Sequence, residues 1–134
     1  MSSYYIATSL SRSADHNLIR DQLSACGWQI TYDWTIHGSV KHDGVTRLSE
    51  VSELEIDGVR RSDVVIILLP GGRGTHAELG MAAVLQKPTY IHSFDGSHFE
   101  LDERTCAFYW HSKAIHLTGP LGDVVEYDIS RYRG

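Results

Sequence analysis

Val64-Val65-Ile66-Ile67-Leu68-Leu69-Pro70-Gly71-Gly72-Arg73-Gly74-Thr75-His76-Ala77-Glu78-Leu79-Gly80 joins an unbroken apolar run to a turn holding Gly71, Gly72 and Gly74. Short, β-branched and without polar alternation, Val64 to Leu69 reads as a strand buried on both faces. Thr75 to Gln86 reads as a helix, which makes the glycines a strand-to-helix turn. Glycine there is expected to allow positive φ and close approach of a ligand to the main chain. The unpaired N–H groups of a helix start add an anion site. Glu78 falls about one turn inside that helix. A carboxylate there repels a phosphate and suits chemistry on a neutral or cationic centre.

Upstream, Tyr4 to Thr8 reads as a first strand, followed by a polar loop whose Ser13 is placed to cap the next helix. Ala14 to Cys26 has apolar residues at helical spacing and Gly27 as a stop. Trp28 to Tyr32 is a second strand, Asp33 to Gly44 a loop, and Thr46 to Arg61 a helix. Downstream, Lys87-Pro88 ends the helix begun at Thr75. Thr89 to His92 and Ala114 to Thr118 are further strands, with Ser93 to Thr105 mostly loop. Residues after Gly119-Pro120 carry no assigned element. This alternation predicts an α/β fold: one domain over residues 1–134, a Rossmann- or flavodoxin-like parallel sheet of about five strands with helices on both faces. Ligands of such sheets lie beyond the carboxyl ends of the strands. That rule gathers Thr8 to Arg12, Asp33 to Thr35, Pro70 to Glu78 and Ser93 to Asp95 around one crevice.

A chain of 134 residues suits a single core, and its net charge of −5 with no clustered basic face argues against a nucleic-acid partner. Two distant cysteines suggest neither zinc nor a disulfide framework, and a reducing, cytoplasmic setting is expected. No apolar run approaches the ~18 residues of a membrane span, and Met1 to Tyr5 does not read as a leader. The eight histidines show no HxxxH or HExxH spacing, so no metal or cofactor is expected. The glycine turn lacks the ending of a Walker loop, and there is no GxSxG elbow.

Several residues could carry chemistry at the crevice. Ala77, Gly80, Ala82 and Ala83 keep the helix around Glu78 narrow and leave room for a ligand. Glu55 and Asp57, late in the preceding helix, supply further carboxylates, and such groups divide the work of nucleophile and general acid in sugar chemistry. Retaining chemistry requires the paired carboxyls ~5 Å apart. Trp34, in a polar Asp33-Trp34-Thr35 loop, is a candidate for stacking on a flat ring, and Tyr5 points toward the crevice. Gly71, Gly72, Arg73, Gly74 and Thr75 are candidates for holding sugar or phosphate, with Arg12 an ambiguous addition. His76 reads as an exposed histidine of the turn that could alternatively orient a ligand.

Assembled, these residues resemble the nucleoside 2-deoxyribosyltransferase family and its nucleotide N-hydrolase relatives, over nearly the whole chain. The matching pieces are Tyr5-Ile6-Ala7, Asp33-Trp34-Thr35, Glu55-Ile56-Asp57-Gly58-Val59 before Ser62-Asp63-Val64-Val65, and Gly74-Thr75-His76-Ala77-Glu78-Leu79-Gly80 with Lys87-Pro88. The resemblance implies that Glu78 is the nucleophile on the sugar C1′, that Glu55 assists, and that Tyr5 lies near the nucleophile. Pro70 to Glu78 also looks like the PGGxGTxxE signature of cytokinin-activating phosphoribohydrolases and lysine-decarboxylase-like proteins, which likewise act at a base–ribose bond. The transferases carry an aspartate where Gly72 stands here, and a C-terminal asparagine from a neighbouring subunit with no counterpart around Cys106 to Trp110. Arg73 in the turn suits a nucleotide phosphate and thereby a hydrolase.

The expectation is therefore an enzyme cleaving the N-glycosidic bond of a nucleoside or nucleoside 5′-monophosphate, with water or a second base as acceptor. Its partners would be that small molecule and, as the resemblance implies, further copies of itself in a homodimer or larger assembly. The alternative is a noncatalytic nucleotide sensor, in which Glu78 would turn away from the crevice into an ion pair.

Overall fold

The strand foreseen from Val64 to Leu69 is the centre of the molecule. In the computed structural model, which describes residues 2–131 and side chains through Glu126, every residue of β3 (Val64–Leu68) is buried. Met1 and 132–134, the ends of the domain expected over 1–134, lie outside the described residues. Around β3 the chain runs β1 (Ser3–Ala7), α1 (Ser13–Ala25), β2 (Gln29–Ile30), α2 (Val45–Arg61), β3, α3 (Arg73–Val84), β4 (Thr89–His92), β5 (Ala114–Leu117) and α4 (Gly122–Arg131). Single 3-10 turns occupy Leu10–Arg12, Trp34–Ile36, Ser97–Phe99 and Ala107–Trp110. All strands are parallel, in the order β2-β1-β3-β4-β5. This is the Rossmann- or flavodoxin-like α/β sheet anticipated, and its switch of strand order falls between β1 and β3.

Strand alternation divides the core in two. Tyr4, Ile6, Val64, Ile66, Leu68 and Tyr90 face Ile19 and Leu23 of α1 and Val124 and Val125 of α4. Tyr5, Ala7, Val65, Ile67 and Ile91 face the opposite side with Val59 of α2 and Leu79 and Ala82 of α3. Asp63 fastens the start of β1 beside β3 by accepting from the Ser3 amide at 2.9 Å and the Ser3 hydroxyl at 3.1 Å.

Local differences from expectation have local causes. Ser13 is the first residue of α1, not its cap: its hydroxyl donates to the Leu10 carbonyl at 2.6 Å and closes the preceding 3-10 turn. β2 is two residues long, because this edge strand pairs only through Ser3 and Tyr4 of β1. The segment after Gly119-Pro120 forms α4, whose Val124 and Val125 cover the sheet. α3 starts at Arg73, so Gly74 lies inside its first turn. Among the described residues no helix is long and apolar enough to cross a membrane, and no cluster of three or more His, Cys, Asp or Glu side chains could hold a metal.

Candidate active site

The alternation that buries Tyr5 on the α2 and α3 side also aims its hydroxyl at α3. Tyr5 is wholly buried and donates to Glu78 Oε2 at 2.6 Å. Glu78 shares the inner face of α3 with Thr75, Leu79 and Ala82 and is only 6% exposed. Glu55, half-buried on α2, lines the same cleft as Glu78, and its carboxyl acts on that of Glu78. Burial first, then the Glu55 hydrogen bond and charge, push the Glu78 carboxyl well above the ordinary carboxylate range, while the Tyr5 hydroxyl pulls it back. Tyr5 in turn is raised far above the usual phenol range by burial and the neighbouring carboxylates, so it stays a donor. Gly58 makes room for this cluster, since a Cβ there would stand 2.9 Å from Tyr32 Cβ and 3.0 Å from the Tyr5 ring.

Above the cluster opens a cleft of about 480 Å³, at the carboxyl ends of β1 and β3. Thr8, Ser9 and Leu10 form one wall and Gly72, Arg73, Gly74 and Thr75 another; the loop His37 to Lys41 with Leu48, Val51 and Ser52 of α2 forms the third. Thr8 Oγ1 donates to the Leu68 carbonyl at 2.8 Å and thus ties the first wall to β3. The glycines work differently from expectation. None of Gly71, Gly72 and Gly74 takes a positive φ. At Gly71 the constraint is space, because a Cβ would come 2.4 Å from Thr75 Cγ2, whereas at Gly72 and Gly74 it would meet nothing within 4 Å. The latter two therefore leave bare main chain at the cleft wall. Arg73 is exposed there and forms no hydrogen bond or ion pair among the described residues.

Glu78, Glu55, Tyr5 and the Gly72 to Thr75 turn are thus brought together, but other expected residues are not. Asp33 does not line the cleft: it accepts from the Thr35 amide at 2.9 Å and pairs with Arg20 at 2.9 Å, which folds the Trp34 turn. Those hydrogen bonds outweigh its burial and hold its carboxyl below the ordinary range. Asp57 pairs with Arg61 at 2.6 Å on the outer side of α2. Trp34 borders the cleft but is 7% exposed, with its indole N–H given to the Ile6 carbonyl at 2.9 Å and its ring against His16, so it packs rather than offering a free stacking face. Gly71 lies behind the wall, and Arg12 is occupied by Asp15 and the Leu69 carbonyl. Ser93 to Asp95 follow β4, one strand beyond the switch point, and do not reach the cleft. Sequence reasoning missed the wall from His37 to Lys41 and the α2 positions Leu48, Val51 and Ser52. The available signal was the position of this loop after β2, next to the switch point.

Two solved structures share the fold: Clostridium botulinum CMP N-glycosidase, BcmB, at 13% identity and a TM-score of 0.62 over 94% of this chain and 97% of that one, and a conserved protein from Enterococcus faecalis V583 at 14% identity and a TM-score of 0.66 over 98% and 99%. No curated protein gives a significant match. The family model of nucleoside 2-deoxyribosyltransferases matches residues 4–125, a span that contains β1, the glycine turn and all three members of the buried cluster. The chain belongs to the nucleoside 2-deoxyribosyltransferase family.

Proposed function

We propose that this protein cleaves the N-glycosidic bond of a nucleoside 5′-monophosphate, or of the corresponding nucleoside, through a covalent intermediate on Glu78. The observation that carries the reading is the Tyr5–Glu78–Glu55 cluster at the floor of the cleft. Two neighbouring carboxyls share a proton, because both cannot carry charge in so buried a site at low cost. At rest that proton sits on Glu78; its passage to Glu55 as the substrate binds leaves Glu78 a carboxylate to attack and gives Glu55 a proton to donate. Glu78, oriented by Tyr5, attacks C1′; the C1′–N bond breaks, its electron pair leaves with the base, and the base takes the proton from Glu55. Water, or a second base, then attacks C1′ and releases Glu78, returning a proton to Glu55. The negative cluster stabilises the oxocarbenium-like transition state of both steps.

A cleft of about 480 Å³ accommodates a mononucleotide. The unpaired Arg73, the bare main chain of Gly72 and Gly74 and the start of α3 support a phosphate at the wall, away from the acidic floor. A noncatalytic sensor is disfavoured because Glu78 faces the cleft and joins no ion pair among the described residues. In keeping with the family, we propose a homodimer or larger assembly, which sedimentation equilibrium tests. The activity is tested by incubating the protein with nucleosides and 5′-monophosphates, with and without a free acceptor base, and separating products by chromatography. Base release that survives intact in Glu78→Ala refutes the proposal. In Arg73→Ala, KM for the monophosphate is expected to rise on the order of tenfold while KM for the nucleoside holds, as befits one charge-assisted contact.

A further inference from the structure

At Gly72 and Gly74 the cleft wall is bare main chain, and hydrogen bonds hold the turn that leads into it. Three are present. Leu69 is paired to β4 through the His92 carbonyl at 2.9 Å, the Gly72 amide donates to Thr75 Oγ1 at 3.1 Å, and the Gly72 carbonyl accepts from His76. His76 approaches that carbonyl twice, by its backbone N–H at 3.2 Å and by Nδ1 at 2.8 Å. A carbonyl only accepts, so Nδ1 carries the proton, and in the neutral ring Nε2 accepts from the Tyr109 hydroxyl at 2.7 Å. Tyr109 is a fixed post. It is 3% exposed, its carbonyl takes a hydrogen bond from His116 Nε2 at 2.6 Å, and its ring stands perpendicular to Phe99. The chain Gly72–His76–Tyr109 therefore runs from the bare wall of the cleft to the 3-10 turn Ala107–Trp110, outside the site itself.

We propose that His76 is a positioning residue: bridging the Gly72 carbonyl and the Tyr109 hydroxyl, it holds the glycine wall at the distance from Glu78 that the substrate's sugar or phosphate requires. The proposal deepens the N-glycosidase reading and rests on it for the substrate. Its structural half is tested without any ligand, by amide hydrogen exchange of the full chain. In His76→Ala and in Tyr109→Phe, exchange across residues 71–76 is expected to speed up about three- to tenfold, the loss of one hydrogen bond, with α1 unchanged. The double variant is expected to be no faster than His76→Ala, since both substitutions cut one chain. His76→Asn, which keeps a donor near the Gly72 carbonyl, is expected to fall between. In base release from a panel of 5′-monophosphates, the same variants are expected to raise KM three- to tenfold with kcat nearly constant. Unchanged exchange in Tyr109→Phe, which preserves the ring packing, overturns the proposal even if His76→Ala fails to fold. So does faster exchange throughout the chain, or faster local exchange with an unchanged KM. A wild type that releases no base from any substrate refutes the N-glycosidase reading instead, and the exchange result then decides the bridge by itself.

Discussion

Replacing Glu78 with glutamine is expected to stabilise the protein at neutral pH while abolishing its activity. In the unfolded chain the Glu78 carboxyl titrates at the ordinary value of 4.5, and in the folded protein burial and Glu55 raise it well above that. Between those two values the unfolded chain has lost the proton that the folded protein still holds. The folded state then binds more protons than the unfolded one, so stability falls as pH rises, by up to about 1.4 kcal/mol per pH unit for a single group. Above the folded value the loss is complete and levels off. Glutamine mimics the protonated acid: its carbonyl accepts the Tyr5 hydroxyl and its amide donates to Glu55, with no proton to lose. The stability of Glu78→Gln minus that of wild type is therefore expected to grow with pH from just above 4.5, with a slope approaching 1.4 kcal/mol per unit. At roughly 4 °C of Tm per kcal/mol for a domain of this size, thermal melts from pH 5 to 8 resolve it readily. Base release in the same preparation should drop on the order of a thousandfold or more, as when a nucleophile is removed. A stability difference that is flat from pH 5 to 8, or a variant less stable than wild type at pH 7, would refute the account of the Glu78 environment.

Tyr5→Phe removes the one contact that favours the Glu78 carboxylate, so the acidic limb of the pH–rate profile should move to higher pH and kcat should fall on the order of tenfold. Glu55→Gln removes the neighbouring charge and should move that limb to lower pH, the opposite direction, although the loss of the proton donor lowers the rate at every pH. Gly58→Ala forces a methyl to within 2.9 Å of Tyr32 Cβ and 3.0 Å of the Tyr5 ring; a destabilisation of about 1–3 kcal/mol in urea unfolding is expected, with activity reduced through displacement of Tyr5.

What could be read in advance followed from burial. β3 is covered on both faces, so Val64 to Leu69 has to be apolar throughout, and that run announced both the sheet and the turn after it. Glu78 stood out because the residues around it are small. Helical phase separates Asp57 from Glu55: two residues is a rotation of about 200°, which turns one carboxylate into the cleft and the other outward to Arg61. Asp33, two residues before a threonine, closes its own turn, a local bond that composition does not distinguish from an empty acceptor. The wall from His37 to Lys41 has no periodicity to read. Its path is shaped by side-chain contacts such as His37 Nε2 with the Tyr32 hydroxyl, five residues earlier, at 2.6 Å.

Tyr4 and Tyr5 show how little of the site resides in residue type alone. They are chemically identical, adjacent, and both fully buried. The pleat sends Tyr4 to the α1 face, where its hydroxyl donates to the Arg20 carbonyl at 3.1 Å and serves packing. It sends Tyr5 to the α2 and α3 face, where the same hydroxyl meets Glu78 at 2.6 Å. A one-residue slip of β1 against β3 would exchange them and leave Glu78 without its donor. The register is held at the strand start by Asp63 accepting from Ser3, and at the strand end by Thr8 donating to Leu68. Those three bonds, none of them in contact with Glu78 or Glu55, therefore keep the tyrosine on the nucleophile's side of the sheet.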